Sequence, residues 1–142
     1  MGSCVFCKIV NRELPGHVIY EDDHVLAFLD ISQATMGHTL VVPKEHVTDV
    51  FDMPSDVMAR VFSVVPRVAR ALSKAFGFAD LNVVNNNGAG ASQTVFHFHV
   101  HLIPRYGDDD SFGLTFGNNM GEYSDEALAG LRDEILEFME DE

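Results

Sequence analysis

Residues 93–104 read Gln-Thr-Val-Phe-His-Phe-His-Val-His-Leu-Ile-Pro, with histidines at three alternate positions. A strand sends successive side chains to opposite faces. His97, His99 and His101 then share one face, and Phe96, Phe98, Val100 and Leu102 share the other. Neighbours on such a face stand about 7 Å apart, because each residue rises about 3.4 Å. One histidine on a strand face is readily satisfied as a core group, whereas three in register are hard to satisfy idly. Alternate histidines can chelate a metal, or they can supply a nucleophile with acid and base neighbours.

The remaining pattern supplies a sheet for that strand. Val5–Val10 reads as a short helical turn, followed by a turn over Asn11–Gly16. His17–Tyr20 and His24–Asp30 read as two strands, and His38–Pro43 as a third entered through Met36-Gly37. A long helix starts at Pro54-Ser55, with Ser55 as the expected N-cap. Its apolar positions Val57, Val61, Val64, Val65, Val68, Leu72, Ala75 and Phe76 recur at helical spacing. Pro66 should remove one hydrogen bond and kink this helix, and Gly77 is a natural stop. Leu81–Asn85 reads as a fourth strand before the polar turn Asn86–Gly90. Tyr106–Tyr123 is a long Gly- and Asp-rich loop, of a length that is usually functional or packed on something. A last helix places Leu128, Leu131, Ile135 and Phe138 along one stripe. The expected class is α+β, an antiparallel sheet with one long helix and a C-terminal helix.

At 142 residues the chain is expected to be one domain, residues 1–142. Its 46% hydrophobic content excludes disorder as a description of the whole chain, since disorder combines low hydrophobicity with high net charge. The net charge of −13 comes from 22 acidic against 9 basic residues. Sequence-independent duplex binding relies on many Lys and Arg contacts to phosphate, so a nucleic-acid partner is not expected. Asp125–Glu142 concentrates the acid and reads as a solvated helix. No apolar run of about 18 residues marks a membrane span. No apolar leader marks secretion, and a cytoplasmic location is expected.

Cys4-Val5-Phe6-Cys7 contains the only cysteines. A disulfide is disfavoured in a reducing compartment, and a redox pair usually sits in a βαβ context that is missing here. Zinc is the third reading and needs two more ligands, for which His46 and His97 are the candidates. Two thiolates and two imidazoles would close a tetrahedral, structural site. No phosphate-binding G-x-x-x-x-G-K-[ST] loop, dinucleotide-binding G-x-G-x-x-G run or G-x-S-x-G nucleophile elbow occurs.

His97-Phe-His-Val-His101-Leu-Ile resembles the signature of the histidine triad (HIT) family. The resemblance takes in Cys4-Val-Phe-Cys7, Tyr20–Ile31, Gly37-His-Thr-Leu-Val-Val-Pro-Lys-Glu-His46 and Asn85-Asn86-Asn87-Gly88, and runs from Cys4 to about Arg105. The tail resembles the bacterial branch that also carries the two cysteines.

The resemblance implies a dimeric nucleotide hydrolase or transferase that attacks the α-phosphate and needs no catalytic metal. His99 is then the nucleophile. An imidazole attacks only through an unprotonated nitrogen, so the other nitrogen of His99 should donate, for instance to a backbone carbonyl. His101 would assist leaving-group departure or stabilise charge, and Gln93 and Thr94 would bond the phosphate or leaving group. Asn86 would contact the phosphate side or the ribose, and Asp30 would accept from both ribose hydroxyls. Phe6, Ile9, Phe28 and Ile31 match an apolar slot for a purine base. The expected zinc, one per chain on Cys4, Cys7, His46 and His97, is structural. His17, His24 and His38 fall outside the pattern and read as surface or strand-end residues. The rival readings are a metal-dependent hydrolase using the three histidines and a zinc-stabilised nucleotide-binding protein without turnover.

Overall fold

Five short runs pair into one antiparallel sheet: Val18–Glu21 (β1), Val25–Leu29 (β2), Thr39–Pro43 (β3), Asp80–Val84 (β4) and Val100–Arg105 (β5). Their order across the sheet is β1-β2-β3-β5-β4. The computed structural model describes residues 3–139. Helices span Val5–Val10 (α1), Ser55–Phe76 (α2) and Asp125–Leu136 (α3), so the fold is α+β. Among the described residues, no helix is long and apolar enough to cross a membrane.

The two faces of the sheet carry separate cores. Val25, Ala27, Val41, Val100 and Leu102 pack with Val61, Val64, Val65, Val68 and Leu72 of α2. On the other face Leu26, Phe28, Leu40 and Val42 pack with Phe6 of α1. Strands β2 and β3 are therefore covered on both sides, which explains their almost unbroken apolar sequence. His101 lies opposite Leu40 in the β3–β5 register, so it shares the α1 face.

Several boundaries differ from the sequence expectation. Strand β5 begins at Val100, not at Gln93. His97 and His99 lie in an irregular approach segment, where the Phe98 N–H donates to the Val47 carbonyl at 2.6 Å. Phe98 still reaches the α2 core, but Phe96 is exposed. Pro54 takes the N-cap position of α2 and Ser55 is its first helical residue. The helix runs through Pro66 as one element and ends at Gly77, whose left-handed φ of 74° suits a residue without Cβ.

The described residues form two units, one ending at Phe112 and one starting at Gly113. In the second, Ser124 caps α3 by accepting from the Ala127 N–H at 3.1 Å. No residue from 113 to 139 is buried, and the stripe Leu128, Leu131, Ile135 and Phe138 is exposed. Glu140–Glu142 of the acidic stretch lie outside the described residues.

Candidate functional site

Helix α1 starts on a sulfur. Cys4 has extended backbone and its Sγ accepts the Cys7 N–H at 3.4 Å, filling the N-cap role. The spacing of three puts both sulfurs at the start of the helix, where they meet two histidines. His97 Nδ1 is 3.5 Å from each sulfur and 3.2 Å from His46 Nδ1, which is 3.2 Å from Cys7 Sγ. The four donor atoms all lie within 4.8 Å of one another.

This set fits a metal. The Nε2–H of His97 donates to the Pro43 carbonyl at 2.8 Å, leaving the Nδ1 lone pair toward the sulfurs. Zinc bonds of about 2.0–2.3 Å in a tetrahedron separate the ligand atoms by about 3.3–3.8 Å, close to the spacings seen. Both cysteines are free thiols. Burial and the adjacent Cys4 push the Cys7 thiol up to about 11, so metal binding there would displace a proton.

His99 is oriented by the main chain. Its Nδ1–H donates to the His97 carbonyl at 2.7 Å, which leaves Nε2 with a free lone pair. The side-chain amide of Asn85 donates to the His99 carbonyl at 2.9 Å. Phe6, between the two cysteines, meets the His99 ring edge-on at 5.0 Å and the Phe28 ring at 5.4 Å. Burial lowers the pKa of His99 and favours its neutral form.

His101 is fixed by a residue outside the triad. The Ala34 N–H donates to His38 Nδ1 at 3.1 Å, so His38 carries its proton on Nε2. That Nε2 lies 2.9 Å from His101 Nδ1 and donates to it. His101 in turn keeps its proton on Nε2 and presents a donor. Burial, then the neighbouring His99 and His38, push His101 down to about 4. Asp30 also approaches His38, at 3.7 Å. Asp30, His38 and His101 are close enough to suggest a metal, but the Ala34 bond makes His38 Nε2 a donor, which opposes that reading.

His38 lies at a strand end, directly before β3, but it is buried and wired to the triad, which corrects the alternative reading as a surface residue outside the pattern. The signal was its place after Gly37. That glycine has φ of 94°, and a Cβ there would sit 3.1 Å from the Phe76 ring, a tight turn that sets His38 against β5. The Gln33 side chain braces the same turn, donating to the carbonyls of Asp30 and His38 and accepting from the Gly37 N–H.

The other expected residues divide. Asp30 Oδ1 is occupied by the Ser32 N–H and hydroxyl, at 2.8 and 2.6 Å. Burial raises its pKa, but those bonds and His38 outweigh it and hold the carboxyl low. Gln93 is buried, and its amide is committed to the Gly88 N–H and to the carbonyls of Thr48 and Val95, where a phosphate contact was expected. Thr94 is exposed and lines a cavity of about 450 Å³ with Cys4, His46 and Phe96. Ile9 packs beside the Phe6–Phe28 cluster, whereas Ile31 is 93% exposed. Asn86 is half-buried between two bonded asparagines, Asn85 and Asn87.

The three triad histidines therefore go to three different partners: His97 to the sulfur cluster, His99 to a carbonyl and His101 to His38. Residues 11–108 match the HIT domain. A crystal structure of a HIT family protein from Bacillus anthracis is 47% identical, covers 97% of this chain and 98% of that one, and superposes with a TM-score of 0.95. A Zn-bound histidine triad family protein from Mycobacterium smegmatis is 39% identical over 94% of this chain and 98% of that one, with a TM-score of 0.74. Adenylylsulfatase HINT3 from Arabidopsis thaliana is 44% identical over 104 residues, 73% of this chain and 53% of that protein. Sequence match, sheet and histidine geometry agree, and the chain belongs to the histidine triad (HIT) family.

Proposed function

We propose that the protein is a nucleotide hydrolase or transferase that attacks the α-phosphate of a nucleoside phosphoramidate or dinucleoside polyphosphate. The observation that carries this reading is the 2.7 Å bond from His99 Nδ1–H to the His97 carbonyl, which frees Nε2 for attack. The Arabidopsis relative is named for an adenylyl compound, and an adenylyl group is a nucleotide α-phosphoryl group.

In this mechanism His99 Nε2 bonds to phosphorus as the leaving group departs, and water then releases the nucleoside monophosphate. His101, neutral and with its proton on Nε2, donates to the oxygens on which charge develops. The donor is uncharged, so an acidic chain holds its anionic substrate by directed dipoles rather than net charge. The base lies against Phe6, Ile9, Phe28 and Ile31, and the second oxygen of Asp30 accepts from the ribose. Asn86 and Thr94 contact the phosphate side, and Gln93 acts as a positioning residue by holding their loop closed.

Zinc on Cys4, Cys7, His46 and His97 would supply a structural tie between α1 and the catalytic segment. The donor set and the Zn-bound relative support that assignment. The reading includes a cytoplasmic homodimer in which residues 1–142 act as one domain; the two free thiols suit a reducing compartment.

The decisive experiment quenches the enzyme during turnover of a slow nucleoside phosphoramidate and maps the adduct. A nucleotide mass on His99 is the expected result. An adduct on another residue, or inversion at phosphorus with no adduct, overturns the mechanism.

A further inference from the structure

We propose that Cys4 and Cys7 also form an oxidisable dithiol, in which a disulfide and the metal are alternative states of the same two sulfurs and the choice decides whether Phe6 is held against His99. The inference rests on the zinc and nucleotide readings above and adds a modification chemistry to that site.

Geometry permits the bond. The two sulfurs lie within 4.8 Å of each other. A disulfide needs Cβ atoms about 3.5–4.5 Å apart, closer than the roughly 5–6 Å of positions three apart within a helix. Cys4, the extended N-cap residue outside the helix, can turn inward to close that difference. Both sulfurs already converge on His97 Nδ1 at 3.5 Å. Access is unequal. Cys4 is half-buried and lines the cavity of about 450 Å³, whereas Cys7 is buried at 6% exposure. A small peroxide entering that cavity meets Cys4 first, and Cys7 is positioned to resolve.

The chemistry balances with hydrogen peroxide as oxidant. The Cys4 sulfur attacks one peroxide oxygen; an S–O bond forms, the O–O bond breaks and one water leaves after protonation. The Cys7 sulfur then attacks the sulfenic sulfur; the S–S bond forms, the S–O bond breaks and a second water leaves. Two electrons pass from the sulfurs to peroxide. Starting from two zinc-bound thiolates, two protons are consumed and one zinc ion is released.

The consequence travels one residue. Helix α1 has six residues, too few to persist without tertiary anchors. Its anchors are the burial of Phe6 and Cys7 and the meeting of both sulfurs with His46 and His97. Oxidation leaves only the two imidazoles as ligands. Phe6, whose ring lies 5.0 Å from His99 and 5.9 Å from His97, is then released from its fixed position.

The test treats the zinc-loaded, reduced full chain with hydrogen peroxide and follows three readouts: zinc release to a colorimetric chelator, peptide mass, and AMP affinity by calorimetry. The expected result is an intramolecular Cys4–Cys7 disulfide, one zinc released per disulfide, and AMP binding weakened about tenfold. Thiol reductant with added zinc should restore both. A disulfide that forms with zinc retained, oxidation that stops at sulfinic acid on one cysteine, or unchanged AMP affinity in the disulfide form overturns the proposal. A reduced chain that binds no zinc overturns the metal reading. A reduced, zinc-loaded chain that binds no AMP overturns the nucleotide reading and with it the link to Phe6, while the zinc-for-disulfide exchange is scored by zinc and mass alone.

Discussion

The α2 face and the α1 face of the sheet are built by opposite rules. Against α2 the packing is mostly valine and leucine with Phe78 and Phe98, and none of its fully buried members is titratable. Against α1 a smaller apolar cluster shares its space with Cys7, His38, His97 and His99, all buried. Those polar groups are tolerated because each has a partner; among the described residues no buried side-chain nitrogen or oxygen lacks one. One layer of strands thus separates apolar packing on one side from chemistry on the other. Substitutions on the two sides should therefore fail in different ways.

The largest effect is expected at the nucleophile. His99→Asn should lower turnover about 10⁴-fold or more, because no other group supplies the attacking lone pair. Its melting temperature should stay close to the parent's, since an amide can still donate to the His97 carbonyl. Steady-state kinetics beside a thermal melt checks both halves.

On the opposite face Leu72→Ala should cost about 2–5 kcal/mol by leaving a cavity under α2. Turnover per folded molecule should not change. A parallel loss of kcat in fully folded samples would show that the faces are coupled.

Metal removal should fall between these extremes, lowering stability and nucleotide affinity together. Chelation followed by denaturant titration and AMP binding is the check. The expected loss is about 2 kcal/mol or more, because metal binding to a site absent from the unfolded chain adds to folding free energy.

His38→Ala removes the donor to His101 Nδ1 but no expected substrate contact. It should lower kcat about tenfold with KM unchanged. A rise in KM alone would count against the positioning role.

At neutral pH the smallest effect is that of His101 protonation, which shows only on acidification. His101 is faced by His99, His38 and Asp30, and burial first, then the two histidines, hold its folded pKa near 4, below the ordinary 6.5. The unfolded chain binds that proton more readily. The favourable contribution is therefore complete above about pH 6.5 and is lost as pH falls toward 4. His101→Asn should flatten that part of the stability profile, measured by melts at stepped pH.

Much of this organisation was legible in the sequence, for physical reasons that also explain the misses. The four candidate metal ligands lie in motifs whose side chains have few other uses, and their donor atoms converge. The α2 stripe was readable because a 22-residue helix gives the period many turns in which to show itself. Alternation misled where it was most regular: Phe96 to His99 alternate in sequence, yet that stretch leaves the ladder and Phe98 pairs with the Val47 carbonyl. Side-chain alternation survives a departure from strand pairing, so it does not locate the strand end. His38 was missed because its partner is 63 residues away, and the glycine before it marks a turn without saying what the turn faces. Gln93 was assigned to the phosphate or leaving group from the family resemblance alone, which carries no information on what the loop asks of the amide; here it bonds the Gly88 N–H and the Thr48 carbonyl.

The oxygen that fixes the tautomer of His99 belongs to the main chain of His97. No side-chain substitution at position 97 can delete that acceptor; it can only be moved. The Nε2 lone pair of His99 is therefore insulated from drift in the sulfur cluster. A lineage that lost Cys4, Cys7 or the His97 imidazole would give up the four-donor cluster in a single mutational step and still inherit a His99 Nε2 pointing the same way.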